Sequence, residues 1–135
     1  MTEQRKLMGV LAHPDDESLG AGGILAKYAA EGVATSLVMA TRGERGWTGA
    51  PQENPGLTAL GHLRTTELHA AAQVLGIGYL SFLDYLDGEL DQAEPALIIN
   101  RIAAELRRVR PQVVVTFGPD GGYGHPDHAL YGRSR

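Results

Sequence analysis

Two short apolar runs, residues 6–12 (KLMGVLA) and 112–117 (QVVVTF), restrict the fold more than anything else in the chain. A strand with one wet face alternates polar and apolar residues, whereas a continuous run suits a parallel sheet covered on both faces. Residues 33–40 (VATSLVMA) and 79–83 supply two further strands of the same character. Between them lie helical patterns. Leu19, Ile24, Leu25 and Tyr28 recur at helical spacing from residue 16 or 17 to 31, with Gly32 as stop. Leu63, Leu68, Ala71, Ala72 and Leu75 form a stripe over residues 60–75, ended by Gly76. Pro95 opens a third helix whose apolar face is Leu97, Ile98, Ile102, Leu106 and Val109. Residues 41–60 are too dense in glycine and proline for regular structure over most of their length, and residues 84–94 form a loop turning at Asp87-Gly88. Strand and helix alternate throughout. The expected fold is therefore α/β: a Rossmann-like, doubly wound, mostly parallel sheet flanked by helices and joined by right-handed crossovers.

A chain of 135 residues fits one domain, and at that size about two-thirds of the unfolded surface can be buried. No apolar stretch is long enough to cross a bilayer, and residues 1–6 lack the apolar segment of a secretory signal, so a cytoplasmic protein without a membrane span is expected. The absence of cysteine excludes disulfides and thiolate metal sites, leaving imidazole and carboxylate as metal ligands. A net charge of -4 argues against nucleic acid as partner. Arg101, Arg107, Arg108 and Arg110 cluster on the third helix, but no aromatic residues are interleaved with them, so a solvated helix face is the better reading.

In such sheets, ligands gather at the carboxyl ends of the strands. A polar cluster stands at each one: His13 to Asp16, Thr41 to Glu44, Asp84 to Asp87, and His125 to His128. The first and fourth strands become neighbours if strand order reverses between them, which opens a crevice there. Consecutive carboxylates Asp15, Asp16 and Glu17 beside His13 are costly to place together unless a cation sits among them. Two histidines and a carboxylate around an open position match a catalytic zinc site. His13 and Asp16 plus one histidine of the last cluster would complete such a set.

His13-Pro14-Asp15-Asp16-Glu17 together with His125-Pro126-Asp127-His128 resembles the paired signature of the PIG-L/LmbE-like family of zinc-dependent N-acetylglucosaminyl de-N-acetylases. Thr41-Arg42-Gly43-Glu44, Arg64-Thr65-Thr66-Glu67-Leu68, the turn Asp87-Gly88 and the glycines from Gly20 to Gly23 also resemble the family, and the likeness runs from about residue 7 to 128. The resemblance implies that His13, Asp16 and His128 hold Zn2+, that Asp15 is the general base, and that His125 donates a proton or stabilises the oxyanion. It implies substrate contacts from Arg64 and Asp87 and a small-molecule N-acetylglucosaminide as substrate. Glu17 and Asp127 are candidates for residues that orient the ligands; for Glu17, a helix-start carboxylate favoured by the dipole is an equal reading.

Other readings compete. Gly20, Gly22 and Gly23 lack a phosphate-loop spacing and suit close helix packing instead. His62 and His69 read as exposed helix residues, and Trp47 and Tyr123 either stack on a sugar or pack their own loops. A magnesium-binding receiver-like domain would use Asp84 but leaves His13, His125 and His128 without a task. A non-catalytic sugar- or metal-binding module on the same fold gives no use to Asp15 and His125. The family's domain continues well past the second motif, while only residues 129–135 follow it here, so a single, C-terminally truncated domain over residues 1–135 is expected. An exposed apolar side of the fourth strand would then favour a homo-oligomer.

Overall fold

The computed structural model describes residues 3–118 and Asp127. Its elements follow the expected alternation: β1 (Lys6–Leu11), α1 (Asp16–Leu19), α2 (Gly22–Ala30), β2 (Ala34–Met39), α3 (Leu57–Leu75), β3 (Tyr79–Phe82), α4 (Pro95–Val109) and β4 (Val113–Val115). Short 3-10 turns at Pro51–Glu53 and Leu90–Gln92 interrupt the two long loops. The strands form one sheet in the order β3-β2-β1-β4, and every pairing is parallel. Strand order thus reverses at β1, which lies between β2 and β4.

The apolar runs are continuous because both faces of the central strands are covered. Met8, Val10 and Ala12 join Val38, Ala40 and Ile98 of α4 on one face. Leu11 meets Leu37, Met39 and Leu68 of α3 on the other, and Leu7 packs with Ala21 and Leu25 of α2. Burying such aliphatic side chains stabilises the fold by about 1.5–3 kcal/mol each. Among the described residues, no helix is long and apolar enough to cross a membrane.

Three local expectations are corrected. The first helix is broken: α1 ends at Leu19 and α2 restarts at Gly22, so the single stripe dissolves, with Leu25 buried but Leu19 83% exposed. A short α1 leaves the acidic turn free to follow the site rather than the helix packing. The helix of residues 60–75 starts three residues earlier, and its buried stripe is Leu60, Gly61, Leu68 and Ala72, while Leu63 faces outward. Among the described residues the fourth strand stands at the edge of the sheet and is not covered on both faces: Val113 and Val114 are exposed, and Val113 and Val115 line an apolar cleft of about 520 Å³ with Ile24 and Tyr28. The α4 arginines Arg101, Arg107, Arg108 and Arg110 are all exposed, as expected of a solvated face, and two of them also brace the sheet side: Arg101 donates to the Leu83 carbonyl and lies over the Tyr85 ring, and Arg108 donates to the Tyr79 hydroxyl. The buried Glu105 of α4, in turn, accepts from Tyr79 and Ser81 of β3.

Two glycines should respond oppositely to the same substitution. Gly76 caps α3 at φ 77°, and a Cβ there would lie 2.9 Å from the Ala29 Cβ. Gly23 lies inside α2 with nothing within 4 Å of its Cβ position. Gly76→Ala is expected to destabilise the protein by about 1–3 kcal/mol, and Gly23→Ala to stabilise it by about 0.5–1 kcal/mol. Urea unfolding measures both; effects of the same sign would contradict the assignment.

Candidate active site

The site begins where β1 stops. The Thr41 backbone N–H and hydroxyl both donate to the Ala12 carbonyl, at 3.0 and 2.9 Å, which ties the end of β1 to the end of β2. The chain then turns on itself: Asp16 N–H donates to the His13 carbonyl at 3.1 Å, and Asp16 Oδ2 accepts the His13 N–H at 2.9 Å. His13 is thereby fixed at the rim with only 9% of its surface exposed.

Three carboxylates converge on this one imidazole. Nε2 lies 2.7 Å from Asp127 Oδ2 and 3.0 Å from Asp87 Oδ1, and Nδ1 lies 3.8 Å from Asp16 Oδ2. An ionised carboxylate can only accept, so Nε2 carries the proton of the bond to Asp127. Asp127 is fully buried and also accepts the Gly88 N–H at 2.8 Å and the Leu90 N–H at 3.2 Å. Asp87 Oδ2 accepts the Arg45 N–H at 3.1 Å, while the Asp87 N–H donates to Glu44 Oε2 at 2.9 Å. Glu44 Oε1 accepts from the Arg42 N–H, so one side chain ties the loop after β2 to the loop after β3.

The electrostatics follow from this crowding. Burial alone would lower the His13 pKa, but the bonds to Asp127 and Asp87 and the charges of Asp87 and Asp16 outweigh it and raise it to about 10. Burial would raise Asp127, yet the bonds from His13 and Gly88 hold it below the ordinary carboxylate value. Burial and the neighbouring Asp16 charge push Asp15 upward against the opposing charge of Arg64.

An arrangement with this excess of negative charge suits a cation, and the donor set is hard oxygen plus imidazole. One atom each of His13, Asp87 and Asp127 falls within 4.8 Å of the others, enough to hold a metal ion. A second donor pair is His13 Nδ1 with Asp16. The 2.7 Å and 3.0 Å contacts of Nε2 have hydrogen-bond length. Nδ1, on the Asp16 side, is the ring nitrogen that these two contacts do not use.

Asp15 sits at φ 110°, a conformation that costs a non-glycine residue about 1–3 kcal/mol. Its carboxylate is 54% exposed, with Oδ2 3.4 Å from Arg64 Nη2. Arg64 also donates to the Pro14 and Gly46 carbonyls, and any side chain at Gly46 would run into its guanidinium. A cleft of about 320 Å³ opens here between Asp15, Leu19, Arg64 and Glu67. Glu17 is buried beneath Asp15, Trp47 donates to its own loop at Ala50, and His62 and His69 are exposed.

The structure therefore brings His13, Asp15, Asp16, Glu17, Arg64, Asp87 and Asp127 to one rim. His125, His128 and Tyr123 lie outside the described residues. Glu44 and Arg45 contribute contacts that the sequence does not assign: Glu44 stands in the polar cluster after the second strand, and Arg45, just beyond it, acts through its backbone N–H, which no side-chain pattern signals. Asp87, for which the resemblance implies a substrate contact, places Oδ1 3.0 Å from His13 Nε2.

The chain has clear relatives among known proteins. The chain is 39% identical over 154 aligned residues to the 1D-myo-inositol 2-acetamido-2-deoxy-alpha-D-glucopyranoside deacetylase of Kineococcus radiotolerans, covering 95% of this chain and 43% of that protein. Among solved structures it is similar to the N,N'-diacetylchitobiose deacetylase of Pyrococcus horikoshii, with a TM-score of 0.84 and 30% identity over 98% of this chain and 48% of that one. It is also similar to the 4-carboxy-2-hydroxymuconate hydratase of Pseudomonas putida, with a TM-score of 0.78 and 27% identity over 97% of this chain and 55% of that one. The chain thus spans about half the length of the relatives it matches. Its match to the family model PIG-L: GlcNAc-PI de-N-acetylase covers residues 8–134, and the chain belongs to that family.

Proposed function

We propose that the chain carries the metal site and general base of a zinc-dependent hydrolase that removes the acetyl group from a small N-acetylglucosamine-containing conjugate. The observation that carries this reading is His13, tied through Nε2 to Asp127 and Asp87 so that Nδ1 faces Asp16. A receiver-like magnesium site would be built from oxygen alone and would not place an imidazole at its centre. The names of the two deacetylases above support an N-acetylated amino sugar as the substrate class.

In this reading His13, Asp16 and His128 hold the zinc, and Asp127 orients His13. Bound zinc would polarise the amide carbonyl and make water acidic enough to attack near neutral pH. Asp15 stands beside Asp16 with its carboxylate partly exposed, placed to take the proton of the attacking water. Its pKa, raised by burial and the Asp16 charge, makes it a stronger proton acceptor than an ordinary aspartate. Arg64 steadies Asp15 and lines the adjoining cleft, where it can meet a sugar hydroxyl. His125 is assigned to protonate the departing amine, so that hydrolysis yields acetate and a free amino sugar.

Amine release from a panel of N-acetylglucosaminides tests the activity. Asp15→Asn is expected to lose about 10²–10⁴-fold in kcat with zinc retained, whereas His128→Ala should lose zinc as well. Equal activity in all three proteins would sink the mechanism, and a zinc-loaded but inactive parent would favour the non-catalytic binding module. Zinc affinity, read by chelator competition, tests the ligand assignment separately. Asp127→Asn should weaken it by about 10–100-fold, and Asp16→Ala should remove it; an Asp16 variant that binds zinc normally would contradict the assignment.

A further inference from the structure

Glu17 is the most deeply buried acidic side chain of the opening motif, with 2% of its surface exposed, and the mechanism above gives it no task. A buried carboxylate must have its oxygens satisfied. Here Oε2 accepts the backbone N–H of Asp15 at 2.9 Å, and Oε1 accepts the Ser18 hydroxyl at 3.1 Å. Neither bond reaches a metal-ligating atom.

The Asp15 N–H is an unusual group to hold. Asp15 has the positive φ of 110° noted above, and its carbonyl accepts the N–H groups of Ser18 and Leu19. The preceding carbonyl, that of Pro14, accepts from Arg64. The peptide joining Pro14 to Asp15 is thus gripped at its oxygen by a cation and at its N–H by an anion. This grip holds a conformation that an aspartate does not adopt unaided. It also sets where the Asp15 carboxylate stands relative to the neighbouring Asp16.

We infer that Glu17 is a positioning residue for the general base: through its bond to the Asp15 N–H it fixes the strained backbone that aims the Asp15 carboxylate. The inference rests on the assignment of Asp15 as base in the proposed function, but the bond itself is tested without it. Glu17 acts through Asp15 and not through the metal, so its loss should separate catalysis from metal binding.

The experiment compares the 135-residue chain with Glu17→Gln and Glu17→Ala. Glutamine keeps an acceptor oxygen for the Asp15 N–H; alanine removes it. With zinc supplied, Glu17→Ala is expected to lower kcat about 100-fold, the scale of a small misplacement of a reacting group. KM and zinc content should stay within about twofold, and Glu17→Gln should recover kcat to within about fivefold of the parent. Amide hydrogen exchange at Asp15, measured in the zinc-free proteins, is expected to be slow in the parent and the glutamine variant and at least about tenfold faster in the alanine variant. That reading needs no turnover, so an inactive parent would defeat the proposed function while the exchange rates still decide the role of Glu17. Unchanged exchange at Asp15 in Glu17→Ala would overturn the inference. So would parallel loss of zinc, kcat and thermal stability in both variants, because that pattern belongs to a residue that only holds the fold.

Discussion

The site depends on one imidazole held from both sides. His13 Nε2 is bonded to the buried Asp127 and lies against Asp87, so the ring cannot rotate without breaking contacts with two carboxylates. Asp127 is in turn held by the N–H groups of Gly88 and Leu90, which belong to the loop after β3. Asp87 is fixed by Arg45 and Glu44 from the loop after β2. The orientation of a side chain at the end of β1 is therefore set by the two loops beside it. Substitution of any of these acids leaves the same imidazole to be shared by fewer carboxylates, and coupling among them should be strongly non-additive.

The parallel sheet makes this convergence possible. β1, β2 and β3 run in the same direction, and the backbone ladder continues beyond them, with Thr41 donating to Ala12 and Tyr85 to Ala40. Three loops far apart in sequence are thus delivered to one rim by hydrogen bonds that begin in the core. Asp127 reaches the same rim beyond β4, which pairs with β1 on its other side. The same fold holds a hydratase and a deacetylase among its relatives, so the sheet supplies the place and the rim residues supply the chemistry.

Much of this was legible in the sequence, because continuous apolar runs, helical stripes and rim clusters are local patterns. The parallel α/β class followed from strands such as β1 that needed no polar face. The pairing of His13 with a residue of the second His-Asp cluster was legible in outline, but the partner that the described residues show is Asp127. What was not legible depended on tertiary competition. The break at Gly20-Ala21 arises because the turn of Asp15 to Leu19 follows the site, while α2 follows the sheet. The exposure of Val113 depends on which strand stands at the edge, and no local pattern in QVVVTF reports that. The direction of the Asp87 carboxylate is set with the help of the Arg45 N–H on a different loop, so its approach to His13 is reported by no local pattern.

Nε2 of His13 is committed to the carboxylates behind it, and the proposed function puts the ion on the Nδ1 side. A crystal structure of the zinc-loaded protein, with the metal located by anomalous scattering, tests it directly. Zinc is expected at about 2.0–2.2 Å from His13 Nδ1 and an Asp16 oxygen, with Asp127 still hydrogen-bonded to Nε2. Zinc bound instead to Nε2 together with Asp87 and Asp127 would contradict it.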